Sequence, residues 1–387
     1  MNLLKSSPAK NKYAAFAYLN TIPVVDNRVL LRSHFKEYEG MKAIATALLR
    51  QKMPVEIVWI INENMINHLR FLPRGVKYLM NGTDEALEAL ASARIWIDNT
   101  WRAHLLEKNI PKKKEQIYIQ LWHGSAGIKR YCHERYDASA SIVRAMQRDL
   151  NQVDIFLSAS ATESDFYRRV LAASDVREFG QPKHDIFYSP EQEYVKLQIK
   201  KRLGLPEDVK LLYYAPSPER WRSKKAVSPQ VETILAALSK RFGGKWMMAA
   251  RMHPLGLRKG YLPVHESLLN ISDEPNEIDL LLAADACLSD YSSCVFDFLH
   301  TGKPCFLYAA DYMDYAVRRG FNLSPSECPF PLATDMKQLI KHIESFDQDL
   351  YTTRLDAYRR EHQYVAGGHA AERCADMIRE MISPPTS

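Results

Sequence analysis

Long apolar runs are scarce in this sequence of 387 residues. No uninterrupted apolar stretch reaches the roughly 18–20 residues that a helix needs to span a bilayer. The first ten residues also lack an apolar core long enough for a signal peptide. We therefore predict a cytoplasmic protein whose association with a membrane is at most peripheral.

Cysteine is equally sparse. Six cysteines occur, and none belongs to a CxxC pair or stands at a metal-ligand spacing from a histidine. Such a pattern is typical of buried thiols in a reducing compartment, so we predict neither a disulfide framework nor a metal site. The six are Cys132, Cys287, Cys294, Cys305, Cys328 and Cys374.

A strong charge of one sign is absent as well. The chain has 52 Lys and Arg against 46 Asp and Glu, a formal net charge of +6. With 46% hydrophobic and 25% charged residues, the composition is that of a soluble globular protein and excludes disordered or collagen-like classes. The small positive excess fits an anionic ligand or an anionic membrane surface, and it is too small to indicate nucleic acid.

Short apolar runs alternate with amphipathic stretches along most of the chain. The runs are continuous, which is typical of strands buried on both faces of a parallel sheet. The predicted strands are 55–61, 76–80, 94–98, 117–121, 154–158, 210–215, 246–251, 285–289 and 304–308. The predicted helices are 41–51, 83–92, 140–150, 164–173, 191–202, 229–242, 276–284, 292–301 and 335–346, with a polar helical stretch near 355–381.

The alternation of strand and helix in two successive blocks predicts two doubly wound α/β domains. We place an N-terminal domain at 1–185, a C-terminal domain at 186–360, and a final helix and tail at 361–387 that packs back across the domains. Ligands of open α/β sheets bind beyond the carboxyl ends of the strands, so chemistry is expected in loops that directly follow strands.

The first such loop follows the strand at 117–121 and reads QLWHGSAGIKR over residues 120–130. His123 lies where the strand ends, and histidine is the side chain best suited to accept a proton near neutral pH. Gly124 lets a ligand approach the backbone closely, and Lys129 adds positive charge. These residues fit a general base or a phosphate contact, although a structural histidine at a strand end is equally compatible with the pattern.

The second loop, residues 251–254, reads RMHP. Arg251 and His253 alternate along an extended chain and would point to opposite sides. One of them is then a candidate phosphate ligand and the other a structural ion-pair partner, and the spacing leaves both assignments open.

The third loop, residues 288–304, reads LSDYSSCVFDFLHTGKP. Ser292 or Ser293 is predicted to cap a helix that Gly302 ends. The N–H groups of its first turn and the serine hydroxyls would bind phosphate or pyrophosphate, unless the serines serve as caps alone. Asp290 and Asp297 would repel phosphate, so they are expected to hold a ribose hydroxyl or to orient the local backbone.

Six motifs, taken in their order along the chain, resemble the CDP-glycerol glycerophosphotransferase family of teichoic-acid primases and polymerases and their capsule-building relatives. They are the three loops above, the GQPKHD stretch, the YYAPSPERWR stretch and the DYMDY stretch before Arg319-Gly320. The resemblance runs from about residue 50 to about residue 375. It implies a GT-B fold of two Rossmann-like domains facing a cleft. It also implies transfer of glycerol phosphate or ribitol phosphate from a CDP-alditol to an acceptor hydroxyl, with release of CMP and without metal or cofactor.

By the same resemblance, His123 is the expected base and His253 a partner of the donor pyrophosphate. The other expected donor-binding residues are Arg251, Ser292, Ser293, Asp297, Lys303 and Asp290; Gly124 and Lys129 are expected to contact acceptor or phosphate. The expected partners are CDP-glycerol or CDP-ribitol, a lipid-linked saccharide or growing polymer as acceptor, and an anionic membrane at the inner face of the cell membrane, but no nucleic acid.

The chain departs from the family pattern at two places. Lys183 stands where the family usually has arginine and keeps the charge without the bidentate fork. Ser217 stands where threonine is usual, and residues 218–220 are inserted before Trp221. Three alternatives stay open: a GT-B glycosyltransferase that uses a nucleotide sugar, an epimerase of similar fold, and a non-catalytic partner in capsule or wall assembly.

Overall fold

A computed structural model of the chain describes residues 17–33, 37–100, 112–124, 127–136, 138–217, 229–252, 257, 262 and 264–382. Within these ranges the chain divides into two compact units. The first comprises Met1–His123, Ser139–Asp185 and Val365–Ser387, and the second comprises Gly124–Ala138 and Ile186–Tyr364. The chain therefore passes between the units four times.

The first unit is built on a parallel sheet of seven strands in the order β3-β2-β1-β4-β5-β6-β7. Its central strands are almost wholly buried because helices cover both faces, which explains their continuous apolar sequences. The strands are β1 (Val25–Arg32), β2 (Glu56–Ile61), β3 (Lys77–Met80), β4 (Ala93–Asp98), β5 (Ile117–Gln120), β6 (Ile155–Leu157) and β7 (Val176–Arg177).

Among the described residues, four helices lie between these strands: α1 (Glu39–Arg50), α2 (Asp84–Ser92), α3 (Ala140–Leu150) and α4 (Ala161–Leu171). The 3-10 helix Glu63–Phe71 lies between β2 and β3. The helix start predicted at Thr83 is confirmed, because the Thr83 side chain accepts a hydrogen bond from Ala86 N–H at 3.2 Å. The start predicted at Ser164 is wrong: α4 begins after Ser160, whose Oγ accepts from Glu163 N–H at 3.1 Å.

The last helix of the chain, α12 (Ala370–Ile382), also belongs to the first unit. It packs beside α1, and its buried residues Cys374, Ala375 and Ile378 join the core of the first unit. Asp185 caps it from a distance, since its carboxylate accepts from Ala370 N–H at 3.0 Å and from Ala371 N–H at 2.8 Å.

The second unit has a parallel sheet of six strands in the order β10-β9-β8-β11-β12-β13. The strands are β8 (Lys210–Ala215), β9 (Trp246–Ala250), β10 (Leu268–Asn270), β11 (Ala286–Ser289), β12 (Cys305–Tyr308) and β13 (Leu332–Ala333). The helices are α5 (Gln192–Arg202), α6 (Val231–Phe242), α7 (Glu277–Ala283), α8 (Cys294–Phe298), α9 (Tyr312–Arg318), α10 (Met336–Glu344) and α11 (Gln348–Glu361), with 3-10 helices Cys132–Glu134, Leu299–Thr301 and Pro325–Glu327. The 3-10 helix Pro182–Tyr188 carries the chain from the first unit into the second.

All nine predicted strands are present within one residue of their predicted bounds, and the α/β class with parallel sheets is confirmed. Four strands were missed. β7, β10 and β13 are two or three residues long and lie at sheet edges, where no long apolar run is needed. β1 is central, but its first half carries Asp26, Asn27 and Arg28, which hide the apolar half that follows.

The described ranges contain no helix with both the length and the apolar character that crossing a bilayer requires. The same ranges contain no group of three or more His, Cys, Asp or Glu residues that could hold a metal ion. All six cysteines are buried free thiols, as predicted.

Candidate functional site

The topological switch point of each sheet is the position at which a ligand site is expected, because the connecting helices diverge there. In the first unit it lies between β1 and β4. Arg32 and Asp98 end these two strands in register. They form a buried ion pair, with Arg32 Nε 2.8 Å from Asp98 Oδ1. A buried pair of this kind fixes the two strand ends that frame the switch point.

The loop after β5 positions His123. Trp122 has a φ of +59°, a backbone conformation that is uncommon for a bulky side chain and costs on the order of 1–3 kcal/mol. Its N–H donates to Gln120 Oε1 at 2.9 Å, which supports this turn. The His123 ring packs on the Trp122 indole with 4.8 Å between centroids. Such strained residues cluster at functional sites, and here the strain redirects the chain at His123.

The switch point of the second unit lies between β8 and β11, and Asp290 organises it. The Asp290 side chain is fully buried. Its Oδ1 accepts from Ser217 N–H at 2.8 Å and from Tyr291 N–H at 2.5 Å, so one carboxylate oxygen ties the ends of both strands together. These bonds orient the local backbone, and the contact of Asp290 with a ribose hydroxyl stays a prediction.

The serine pair follows directly. Ser292 and Ser293 are half-buried and precede α8, which continues as the 3-10 helix Leu299–Thr301 and ends at Gly302 with a φ of +67°. Ser293 is the N-cap residue but makes no side-chain cap bond, and Ser292 Oγ accepts from Cys294 N–H only at 3.5 Å. The predicted capping is therefore weak, which leaves the hydroxyls available for a ligand.

Gly124 lies against this serine pair within the second unit. A Cβ added at Gly124 would be 2.9 Å from Ser293 Oγ, closer than real Cβ contacts, and 3.4 Å from Ser293 Cβ. A side chain at this position would therefore force the Ser293 hydroxyl to turn away. Within the second unit, the structure thus brings Gly124, from the predicted motif at 120–130, to Ser293, from the motif at 288–304.

Lys303 does not join them in the structure, and its contact with the donor stays a prediction. It precedes β12, whereas Ser292 and Ser293 follow the carboxyl end of β11, which runs parallel to β12. Its Nζ donates to Leu282 O at 2.9 Å and to Ala284 O at 2.6 Å, at the end of α7. Burial lowers the pKa of Lys303 to about 8. The side chain therefore binds the end of α7, at the amino ends of the strands and opposite the serine pair.

Of the other residues predicted to bind the donor, Arg251 and Asp297 are described and His253 is not. Arg251 Nη1 donates to Glu274 O at 2.7 Å, and its Nε is 3.9 Å from Glu277 Oε1, so its guanidinium serves an ion pair beside α7. Asp297 is buried on α8. His253 lies outside the described residues, and its role stays a prediction.

Sequence reasoning missed the residues that hold Lys129. Lys129 forms an antiparallel bridge with Phe321, and Asn322 N–H donates to Ile128 O at 2.9 Å. The Arg319-Gly320 motif directly before them was noted, but no periodicity connects it to a loop about 190 residues earlier in the chain. Only the fold brings these segments together.

Fold and site together define a GT-B-like protein with a polar site at the switch point of its second unit. The wall teichoic acid polymerase TagF has the same fold: its structure superposes with a TM-score of 0.80 at 24% identity, over 96% of this chain and 94% of that one. The chain belongs to the CDP-Glycerol:Poly(glycerophosphate) glycerophosphotransferase family, whose model matches residues 14–380.

Two curated relatives illustrate this membership. A teichoic acid poly(glycerol phosphate) polymerase of Staphylococcus epidermidis is 27% identical over 80% of this chain and 45% of its own length. A teichoic acid glycerol-phosphate transferase of Staphylococcus aureus is 23% identical over 97% of this chain and 99% of its own length. The chain spans about half the length of the first curated relatives it matches, 45% and 51%.

Proposed function

We propose that the chain transfers glycerol phosphate, or another alditol phosphate, from a CDP-alditol to an acceptor hydroxyl in teichoic-acid or capsular polymer synthesis, with release of CMP. Family membership over residues 14–380 supports the reaction class. The observation that carries the proposal for this chain is the contact of Gly124 with Ser293, because it joins the loop that follows His123 to the serine pair.

In the proposed reaction the acceptor oxygen attacks the β-phosphorus in line. The bond from that phosphorus to the bridging oxygen breaks, and CMP leaves with that oxygen. His123 takes the proton of the acceptor hydroxyl. Ser292 and Ser293 bind the pyrophosphate, with His253 as a further ligand. Catalysis of phosphoryl transfer rests on positioning and charge stabilisation, so weakly engaged donors such as these hydroxyls suit it.

A donor screen tests the proposal. The protein is incubated with a lipid-linked saccharide acceptor and with CDP-glycerol, CDP-ribitol, UDP-GlcNAc or CMP-sialic acid, and products are identified by mass spectrometry. Release of CMP and a mass gain of one alditol phosphate support it. Release of UDP, an epimerised sugar or no turnover with any donor would overturn it in favour of one of the three alternatives.

The role of His123 is tested separately with H123A. Loss of a general base costs about 10²–10⁴-fold in rate. We expect turnover to fall in that range while the Kd for CDP-glycerol stays within twofold of that of the unaltered protein. His369, which is exposed and directly precedes α12, provides the matched control H369A, which should retain full turnover. Equal losses of binding and turnover in H123A would contradict the base assignment.

We further propose that the chain works at the inner face of the cell membrane and contacts anionic lipid through α3. The outward side of this helix carries Arg144 and Arg148, and Ile142 is 49% exposed. Arginines beside an exposed apolar side chain are the pattern of an interfacial helix. Flotation with phosphatidylglycerol vesicles should recover the unaltered protein but not R144E/R148E, and R168E on α4 serves as a control. Equal flotation of all three proteins would refute the assignment to α3.

A further inference from the structure

The segment Gly320–Asn322, named here the platform, binds the loop that follows His123. Asn322 N–H donates to Ile128 O at 2.9 Å, and Asn322 Nδ2 donates to Gly127 O at 2.9 Å. Arg130 Nε donates a hydrogen bond to Phe321 O at 2.9 Å. We call Gly124 and residues 127–130 the glycine segment. The platform thus shares three hydrogen bonds with residues 127, 128 and 130 of this segment, all within the second unit.

The platform itself is held by an aromatic cluster. The Phe321 ring stacks on Tyr315, with 5.3 Å between centroids and 11° between planes. Tyr315 stacks in turn on Tyr291 at 3.8 Å. Tyr291 OH donates to Asp311 Oδ1 at 2.9 Å. Since Tyr291 directly precedes the serine pair, the same cluster fixes both the platform and the start of the candidate pyrophosphate site.

Two glycines show how tightly the pieces meet. A Cβ at Gly127 would be 2.4 Å from the Phe296 ring on α8, and a Cβ at Gly320, which has a φ of +75°, would be 2.7 Å from the Tyr136 ring. Gly127 therefore packs closely against α8, and Gly320 of the platform packs closely against Tyr136 and Arg130. A side chain at either glycine would have to displace one of these neighbours.

We infer that Asn322 is a positioning residue for the transfer reaction: its side chain fixes the glycine segment and, through it, the direction in which the chain leaves His123. The inference rests on the proposed function for its kinetic consequence. It goes beyond the proposed reaction, in which the platform has no role, because Asn322 acts on the loop and not directly on the donor. A displacement of about 1 Å can cost roughly 10²-fold in rate, so a single bond to the loop is enough to matter.

The test uses N322A, N322D and the matched control N27A in the full chain. Asn27 makes the same type of bond, from Nδ2 to the Pro54 carbonyl at 3.0 Å, but in the first unit. Both variants keep the backbone N–H that donates to Ile128 O, so we expect both to fold. We expect kcat with the best CDP-alditol to fall about tenfold in N322A and further in N322D, with the KM for the donor within twofold and N27A unchanged.

Amide hydrogen exchange supplies a second readout. If Asn322 only stabilised the fold, its loss would speed exchange widely and not in the glycine segment alone. Peptides covering residues 127–130 should exchange at least fivefold faster in N322A than in the unaltered protein, and those covering α6 should not change. Unchanged exchange in residues 127–130 overturns the inference whatever the kinetics. If exchange rises as expected but no CDP-alditol supports turnover in the unaltered protein, the platform stands and the proposed function fails.

Discussion

Gly127→Ala is the sharpest test of how the site is built. Gly127 has no left-handed φ, so alanine can adopt its backbone conformation, and only the added methyl group matters. That methyl carbon would lie 2.4 Å from Phe296 Cε2 and 2.9 Å from Cδ2. Carbon atoms in contact normally lie about 3.5–4.0 Å apart. Either the ring or the loop must therefore move by more than about 1 Å.

The ring has little freedom to move. Phe296 is 1% exposed and packs against Phe330 at 5.8 Å and Tyr358 at 6.3 Å between centroids. Inserting a methyl group into such packing costs typically 1–3 kcal/mol. We expect Gly127→Ala to lower the free energy of unfolding by about 2 kcal/mol. Since a shift of 1 Å can cost roughly 10²-fold in rate, kcat should fall by about that factor.

Urea denaturation and steady-state kinetics measure the two effects, and Phe296→Leu supplies the control. The smaller side chain makes room for the methyl group, so the double variant should recover most of the rate lost in Gly127→Ala. In a double-mutant cycle the coupling should be of order 1 kcal/mol or more. Full stability and full turnover in Gly127→Ala alone would refute the reasoning, because no such contact could then exist.

Three further predictions concern single side chains. Asp290→Ala should lower the free energy of unfolding by roughly 2–4 kcal/mol in urea titration, because two buried N–H groups lose their acceptor. Asp290→Asn keeps an acceptor oxygen and should lose less stability. Equal losses of stability in the two variants would contradict this reasoning. Burial lowers the pKa of Lys303 from 10.5 to about 8, so between these pH values the unfolded chain binds more protons than the folded chain, and Tm should rise with pH. Lys303→Met should abolish that rise without changing the KM for the donor. A raised KM in this variant would instead place Lys303 at the donor site. Thr83→Ala removes the N-cap of α2 and should cost about 1 kcal/mol by thermal unfolding, whereas the capping-competent Thr83→Ser should be nearly neutral.

The fold class could be read from the sequence because buried parallel strands need continuous apolar runs, and nine strands carried them. β1 did not, since Asp26, Asn27 and Arg28 lie in its less buried half. Its omission hid the switch point of the first unit, and with it the buried pair of Arg32 and Asp98. Polar residues at one end of a central strand interrupt the continuous apolar run by which a buried strand is predicted from sequence.

The candidate site was predictable where chemistry is local in sequence and not where it depends on tertiary contacts. Ser292 and Ser293 follow a strand and precede a helix, so their place was evident. The contact of Gly124 with Ser293 spans about 170 residues, and the bonds of Asn322 span about 195, so neither leaves a trace in spacing. The position of Lys303 was hidden for a similar reason, because adjacency to a motif does not reveal at which end of a strand a residue lies.

The fourfold passage of the chain between its units has a consequence for biosynthesis. The first unit includes α12, which follows all of the second unit in sequence. During synthesis, the second unit can therefore complete its sheet while the first still lacks the helix that covers α1. Domains usually fold in the order in which they leave the ribosome, but here the unit that starts first must finish last. Until residues 370–382 emerge, α1 lacks the helix that covers its apolar face, and exposed apolar surface of this kind makes a folding intermediate prone to aggregation.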